Sequence, residues 1–260
     1  MLGDLADVAA DLAESGHPRA DAPVYAVDRR VAARLTTLET PAPLMAVFPV
    51  PVAPALGELR ARASAAGAVA AAGGAAIAES SAAVAPASGS GPVVYADRLA
   101  DPGNLGTLVR AAAAFAAALV ASPGSVDLFS PKVVRAGMGA VFDLPLYHDV
   151  PLAAAVAELG ATRVYGLVAH DGRPLADVLD EREASAAADA PVVLVVGAER
   201  AGLSDEALAA VTDLVTIPLP GAGVSGTAAG AVESLNAGVA GAIALYELSR
   251  RRERAALPKE

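Results

Sequence analysis

From Val93 onward, short apolar runs alternate with longer segments of helical pattern, and this alternation constrains the fold more than any other feature of the chain. The apolar runs Val93–Tyr95, Leu119–Ala121, Leu144–Tyr147, Val164–Val168, Val192–Val196 and Leu214–Ile217 are predicted strands. Between them, Leu105–Ala117, Pro131–Val141, Leu152–Leu159, Asp205–Val211 and Glu233–Arg252 are predicted helices. A run such as Val192-Val193-Leu194-Val195-Val196 has no polar side, so it suits a strand covered on both faces. That is a parallel sheet under two layers of helices, and the fold class is α/β.

The region before Val93 reads differently. Val24–Val27 and Leu44–Phe48 are predicted short strands, the second bounded by Pro43 and Pro49. Asp28 is placed to cap a helix running to Arg34 or Leu35. Residues 54–72 are Ala-rich and read as helical. Residues 79–92 combine Ser, Gly, Pro and Ala and read as a flexible linker. The expected organisation is a small N-terminal domain over 1–78, a linker over 79–92 and the sheet domain over 93–260.

Composition removes several function classes. A hydrophobic share of 55% supports a buried core, but aromatics are only 3% and Trp is absent, which argues against base stacking on an aromatic platform. With no cysteine there is no disulfide, thiolate metal site or Cys nucleophile. His17, His148 and His170 show no metal-ligand spacing, so no metal is expected. A net charge of −10 argues against broad, sequence-independent nucleic-acid binding. The exception is the basic tail Arg250, Arg251, Arg252 and Arg254, which matches a helix dipole or a phosphate equally well. No segment reads as a signal or membrane span, and a cytoplasmic protein is expected.

Three segments carry chemistry. Asp101-Pro-Gly-Asn-Leu-Gly-Thr-Leu-Val-Arg110 follows a strand and opens a helix; Asn104 is a candidate cap and Gly106 leaves room for close approach. Val196-Gly-Ala-Glu-Arg-Ala-Gly-Leu-Ser204 also ends a strand, with Gly197 and Gly202 open to backbone approach and Glu199 at the strand terminus, where open α/β sheets bind ligands. Ile217-Pro-Leu-Pro-Gly221 leads through a Gly/Ala/Ser stretch to Glu233-Ser-Leu-Asn236, where Ser234 and Asn236 begin a long helix and Gly238 and Gly241 allow close packing. Each segment alone also reads as an ordinary capped helix or glycine turn.

In this order, N-x-G-x-x-x-R, G-x-E-x-x-G-L and I-P-L-P-G…E-S-L-N, the set resembles the three signature motifs of the SpoU/TrmH-like methyltransferases of the SPOUT superfamily. Pro123–Asp127 and Ser130–Gly139 are similar to the same family, and the resemblance covers residues 93–250. It implies a trefoil-knotted sheet domain and a homodimer that transfers a methyl group from S-adenosylmethionine to an RNA ribose 2′-hydroxyl, rRNA before tRNA. By motif, the donor would lie on Gly197, Ile217, Leu219 and Leu235. Arg110, Asn104, Glu199, Ser234 and Asn236 would form the polar catalytic set. Within it, Arg110 would act as base or as alkoxide stabiliser. A guanidinium pKa above about 12 favours the second role.

Two departures bear on activity. The run Ala222–Gly230 lengthens the third motif, and the N-terminal region is similar only to the later half of a domain related to ribosomal protein L30e. The competing reading is therefore a dimer of the same fold that binds donor or RNA with weakened or redirected catalysis.

Overall fold

The structure is a computed structural model that describes residues 25, 27–36, 45–47, 49–64, 91–184, 190–219 and 234–256. The chain divides into two compact units, Met1–Val50 with Gly73–Ala83, and Pro51–Ala72 with Val84–Glu260.

In the first unit Asp28 caps α1 (Arg29–Leu35), its carboxylate accepting from the Val31 amide at 2.8 Å, as the sequence predicts. The two predicted strands are corrected. Tyr25, Val27, Met45, Ala46 and Val47 are not in strands, and Val24, Ala26, Leu44 and Phe48 lie outside the described residues. Among the described residues of these stretches every side chain is exposed, Val47 fully, so none of them buries an apolar face that would hold a strand pair.

The second unit is built on a parallel seven-stranded sheet. Its strands are β1 (Val93–Asp97), β2 (Ala118–Ala121), β3 (Leu146–Tyr147), β4 (Arg163–Leu167), β5 (Arg173–Pro174), β6 (Val192–Gly197) and β7 (Asp213–Thr216), in the order β3-β2-β1-β6-β4-β7-β5. The helices are α2 (Leu59–Ser64), α3 (Pro102–Phe115), α4 (Pro131–Gly137), α5 (Leu152–Leu159), α6 (Leu175–Glu183), α7 (Asp205–Ala210) and α8 (Ala237–Ala256).

Strand alternation sorts the core into two layers. Val94 and Ala96 of β1 pack with Leu105, Leu108 and Val109 of α3 and with Ala244, Leu245 and Leu248 of α8. Val93 and Tyr95 face the other way, toward Leu152 and Leu159 of α5 and Ala207 of α7. Leu59 and Ala63 of α2 join this second layer, so part of the segment read from sequence as N-terminal domain completes the sheet unit's core.

Differences from the predicted elements have local causes. The predicted helix Pro131–Val141 ends at Gly137, because Met138 and Gly139 adopt left-handed backbone (φ 51° and 91°) before a 3-10 turn at Ala140–Phe142. The predicted strand from Leu144 shortens to Leu146–Tyr147; Pro145 has no N–H to give, although its carbonyl accepts from Leu119 at 3.1 Å. The helix predicted from Glu233 begins at Ala237, beyond Asn236. β5 and α6 had no counterpart in the predicted elements. β5 is two residues at the sheet edge, one of them proline. α6 is largely polar, with only Leu175, Val178 and Leu179 buried.

Candidate active site at the carboxyl edge of the sheet

β1 and β6 are neighbours in parallel register, Asp97 opposite Gly197, and their chains leave in opposite directions across the sheet. This is the kind of switch point at which open α/β sheets leave a crevice. The loop after β6 is a tight turn. Ala198 and Gly202 exchange backbone hydrogen bonds of 3.0 and 2.8 Å. A Cβ on Gly197 would stand 2.4 Å from the Gly202 carbonyl oxygen, so no other residue fits without moving the turn. The turn presents Glu199, and Ser204 then caps α7 by accepting from the Ala207 amide.

The loop after β1 enters α3 differently from expectation. Asp101, not Asn104, is the cap: its carboxylate accepts from the Asn104 amide at 2.8 Å, and Pro102 supplies the first helical residue. Asn104 is thus one turn into the helix and its side chain is free to work elsewhere. Its amide NH2 donates to the Glu199 carboxylate, and its amide oxygen accepts from Asn236 Nδ2 at 2.5 Å. Asn236 in turn caps α8, its Oδ1 accepting from Val239 at 3.1 Å and its carbonyl from Ala240 at 2.8 Å. Only this orientation of the two amides gives every donor an acceptor. All three sequence motifs therefore meet in one chain of hydrogen bonds, Glu199–Asn104–Asn236.

Gly238 and Gly241 make that meeting possible. A Cβ on Gly238 would lie 2.9 Å from the Asn104 carbonyl oxygen, and one on Gly241 would lie 2.6 Å from Leu108 Cδ1. These glycines receive α3 of the same chain, the close packing that the sequence expects of them.

Beside the hydrogen-bonded chain lies a cleft of about 340 Å³. Leu167 to His170 after β4 form one wall, and Val196 to Glu199 with Gly202 form another. Thr216 at the end of β7, Ile217 and Leu219 just after it, Ser234 and Leu235 just before α8, and Ala237 and Ala240 within it line the rest. The predicted donor residues Gly197, Ile217, Leu219 and Leu235 thus line one cavity, together with Glu199 and Ser234. Arg110 does not line it; it is exposed on α3. The sequence reading missed Ala169, His170 and Thr216. Their only signal is position just beyond β4 and at the end of β7, and the Thr216 hydroxyl donates to the Ala169 carbonyl at 3.2 Å, tying the two together.

Two further groups bear on the chemistry. The Tyr95 phenol donates to the Val150 carbonyl at 3.0 Å, and burial, with Glu206 and Asp97 nearby, pushes its pKa well above the ordinary phenol value. It is no base at neutral pH. In the basic tail, Arg250 and Arg251 both pair with Glu247, and Arg251 also reaches Asp180 and Glu183 of α6. Carboxylate pairing within the fold, which neither reading of this tail named, engages these two arginines. The side chain of Arg254 lies outside the described residues.

Comparison with known proteins agrees with this geometry. Residues 91–246 match the SpoU rRNA Methylase family. The chain is 38% identical over 160 residues to the 23S rRNA (guanosine(2553)-2′-O)-methyltransferase RlmP of Bacillus subtilis, covering 60% of this chain and 57% of that one. It is 34% identical over 162 residues to the 23S rRNA (uridine(2479)-2′-O)-methyltransferase of Streptomyces viridochromogenes, covering 60% and 51%. The matched stretch thus spans only a little over half the length of these relatives. Among solved structures, the SpoU methyltransferase AviRb from Streptomyces viridochromogenes in complex with the cofactor AdoMet superposes with a TM-score of 0.52 at 27% identity, over 63% of this chain and 61% of that one. AdoMet-bound rRNA methyltransferase from Sinorhizobium meliloti gives 0.50 at 30%, over 62% and 56%. With more than half of its length matched to the family, and with a parallel sheet that brings the three motifs together, the chain belongs to the SpoU rRNA Methylase family.

Proposed function

We propose that this chain is an S-adenosylmethionine-dependent methyltransferase that modifies a ribose 2′-hydroxyl of RNA, rRNA before tRNA. The observation that carries the reading is the cleft in which Gly197, Ile217, Leu219 and Leu235 meet Glu199 and Ser234 beside the Asn104–Asn236 pair. The cleft fits the donor in kind. Leu167, Ile217, Leu219 and Leu235 offer apolar surface for a flat heteroaromatic ring, and Gly197 lets the turn after β6 close tightly against the cleft wall. Bound there, the donor would supply an electrophilic methyl group on a sulfonium.

The protein's part is to hold and polarise. Asn104 fixes the Glu199 carboxylate and is itself fixed by Asn236, so the polar end of the cleft is set before substrate arrives. Ser234, exposed at the rim, is placed to orient the ribose. With the donor bound, the 2′-oxygen would take the methyl group as the carbon–sulfur bond breaks and a neutral thioether departs, its hydroxyl proton passing to water, and Arg110 is assigned the stabilisation of the developing alkoxide. Since Arg110 stands outside the cleft of its own chain, the reading includes a homodimer in which a second copy completes the site. It also includes a cytoplasmic location, a trefoil knot, and a small N-terminal domain over 1–78 joined by a linker at 79–92. The segment expected to form part of the knot and the lengthened third motif, residues 220–233, lies outside the described residues. The rRNA preference rests on the two 23S rRNA methyltransferases to which the chain is similar.

Calorimetry with S-adenosylmethionine, followed by methyl transfer to rRNA and tRNA with mapping of the 2′-O-methyl position, tests the reading. Transfer to a 2′-oxygen is the expected result. Donor binding without transfer to any RNA would support the competing reading of a dimer with weakened or redirected catalysis, and no binding would overturn both.

A further inference from the structure

Asp97 is a buried carboxylate with no part in the scheme above. It is the last residue of β1, is 3% exposed, and lies in register with Gly197. A carboxylate in such a place is costly unless its oxygens are satisfied. Both are, and by one residue: Ser204 donates its amide N–H to Oδ2 at 2.6 Å and its hydroxyl to Oδ1 at 3.0 Å. Ser204 closes the loop that begins at Gly197 and carries Glu199. That loop is therefore pinned at its far end by the carboxylate, while Gly197 pins its near end through the sheet.

The next residue adds to the clamp. Arg98 adopts left-handed backbone (φ 52°), and its amide donates to Ser122 Oγ at 2.7 Å. Ser125 Oγ donates to the Ala96 carbonyl at 3.2 Å. The end of β1 thus holds the loop after β2 through its backbone and the loop after β6 through one side chain.

We propose that Asp97 is a positioning residue for the active site: its carboxylate fixes the Gly197–Ser204 loop, and through it the Glu199–Asn104–Asn236 chain and one wall of the cleft. The inference rests on the functional reading above for its consequence in catalysis, but its structural core stands apart from it.

The test uses the full chain with Asp97→Asn and Ser204→Ala, and Leu159→Ala as a reference for plain destabilisation. Leu159 is fully buried at the end of α5 that leads into β4, at the opposite edge of the sheet from the cleft. Asp97→Asn turns one acceptor into an NH2 that faces the Ser204 donors. Ser204→Ala removes the hydroxyl and keeps the amide bond, so it remains informative if Asp97→Asn does not fold. Hydrogen exchange at the Ala198 and Gly202 amides reads the loop without any ligand. Both amides should exchange about tenfold faster in the Asp97 or Ser204 variant, as loss of a charge-assisted bond predicts. In Leu159→Ala they should change no more than other amides of the sheet. With S-adenosylmethionine and RNA, Asp97→Asn should also lower single-turnover transfer by about 100-fold, the scale of a small misplacement. Unchanged exchange at Ala198 and Gly202, or an equal change in Leu159→Ala, overturns the inference whether or not the protein methylates RNA. A wild-type chain that binds no donor overturns the functional reading and leaves the exchange result to decide the role of Asp97 in the loop.

Discussion

At the residue scale, the site depends on a few side chains with no spare partners. Asn104 is 9% exposed and bonded on both sides of its amide. Asn104→Ala removes the partner of the Glu199 carboxylate and of Asn236 Nδ2, while Asn236 keeps its cap to Val239, a loss on the order of 1 kcal/mol in local order. Single-turnover transfer should fall by at least about tenfold, and a fall in Tm with unchanged turnover would show the bonds to be structural only. Arg110 is the opposite case, exposed and outside its own cleft. Arg110→Ala should leave donor affinity intact and remove nearly all transfer, because the group acts on charge that develops in the transition state. Arg110→Lys keeps the charge but loses the planar fork, so measurable turnover in that variant would show that charge suffices. Near-normal turnover by Arg110→Ala would remove it from the mechanism. Asn104, Glu199, Ser234 and Asn236 were legible in the sequence because three short motifs name them together. Asp97 and Thr216 were not, because an acid ending a strand and a threonine ending another carry no motif; only the register of β1 with β6, and of the β4 and β7 loops, reveals what they touch.

At the element scale, the apolar runs showed the sheet well, because a strand covered on both faces leaves no polar position to confuse its period. β6 was found within one residue and α5 to the residue. The failures follow from the same physics. β5 is too short to have a period, and α6 buries only three positions, so neither offers the apolar signal that reveals an element. α6 is held instead by charge: Arg251 of α8 reaches Asp180 and Glu183, and Glu247 holds both Arg250 and Arg251. The hydrogen bond from Arg250, reinforced by Arg251, keeps the Glu247 carboxyl below its ordinary pKa. A depressed carboxylate stabilises the fold above its unfolded-state pKa, and that contribution disappears as pH falls through the folded value. Glu247→Gln should therefore lower Tm at pH 7 by a few degrees, about 1 kcal/mol for a network of this kind. The gap to wild type should close as pH drops below the usual glutamate range. Calorimetric melting across that range checks the sign, and a gap that stays constant with pH would show that the carboxylate charge contributes nothing.

At the scale of the whole molecule, the question is what covers α8. The helix buries Ala244, Leu245 and Leu248 against the sheet and turns Gly238 and Gly241 to α3, yet Val239, Ile243 and Tyr246 are 43%, 41% and 53% exposed. Their spacing of four and three residues puts them on one face. Tyr246 stacks edge-on against Phe115 at 5.8 Å, which extends the apolar surface onto the end of α3, the helix that carries Arg110. An apolar stripe near Arg110, which does not line the cleft of its own chain, fits the proposed two-fold interface in which each chain would lend that arginine to the other. We place the exposed large residues of α8 at this proposed interface, since its glycines Gly238 and Gly241 are taken up by α3 of the same chain. Ile243→Arg places a charge in the middle of the stripe, at a residue that belongs neither to the core nor to the cleft lining. The variant should be folded and monomeric at micromolar concentration by light scattering, where the wild type is expected to be a dimer. It should keep most of its donor affinity, since the donor cleft is lined within one chain, and lose transfer to RNA. Mixing it with Arg110→Ala should restore no activity, because the first cannot dimerise and the second has no arginine to lend. By contrast, mixing Arg110→Ala with Asn104→Ala should recover up to about a quarter of wild-type turnover, since one of the two sites in a mixed dimer then has both groups intact. A wild-type monomer with full transfer activity would remove the second chain from the site, and with it the reason for Arg110 to stand where it does.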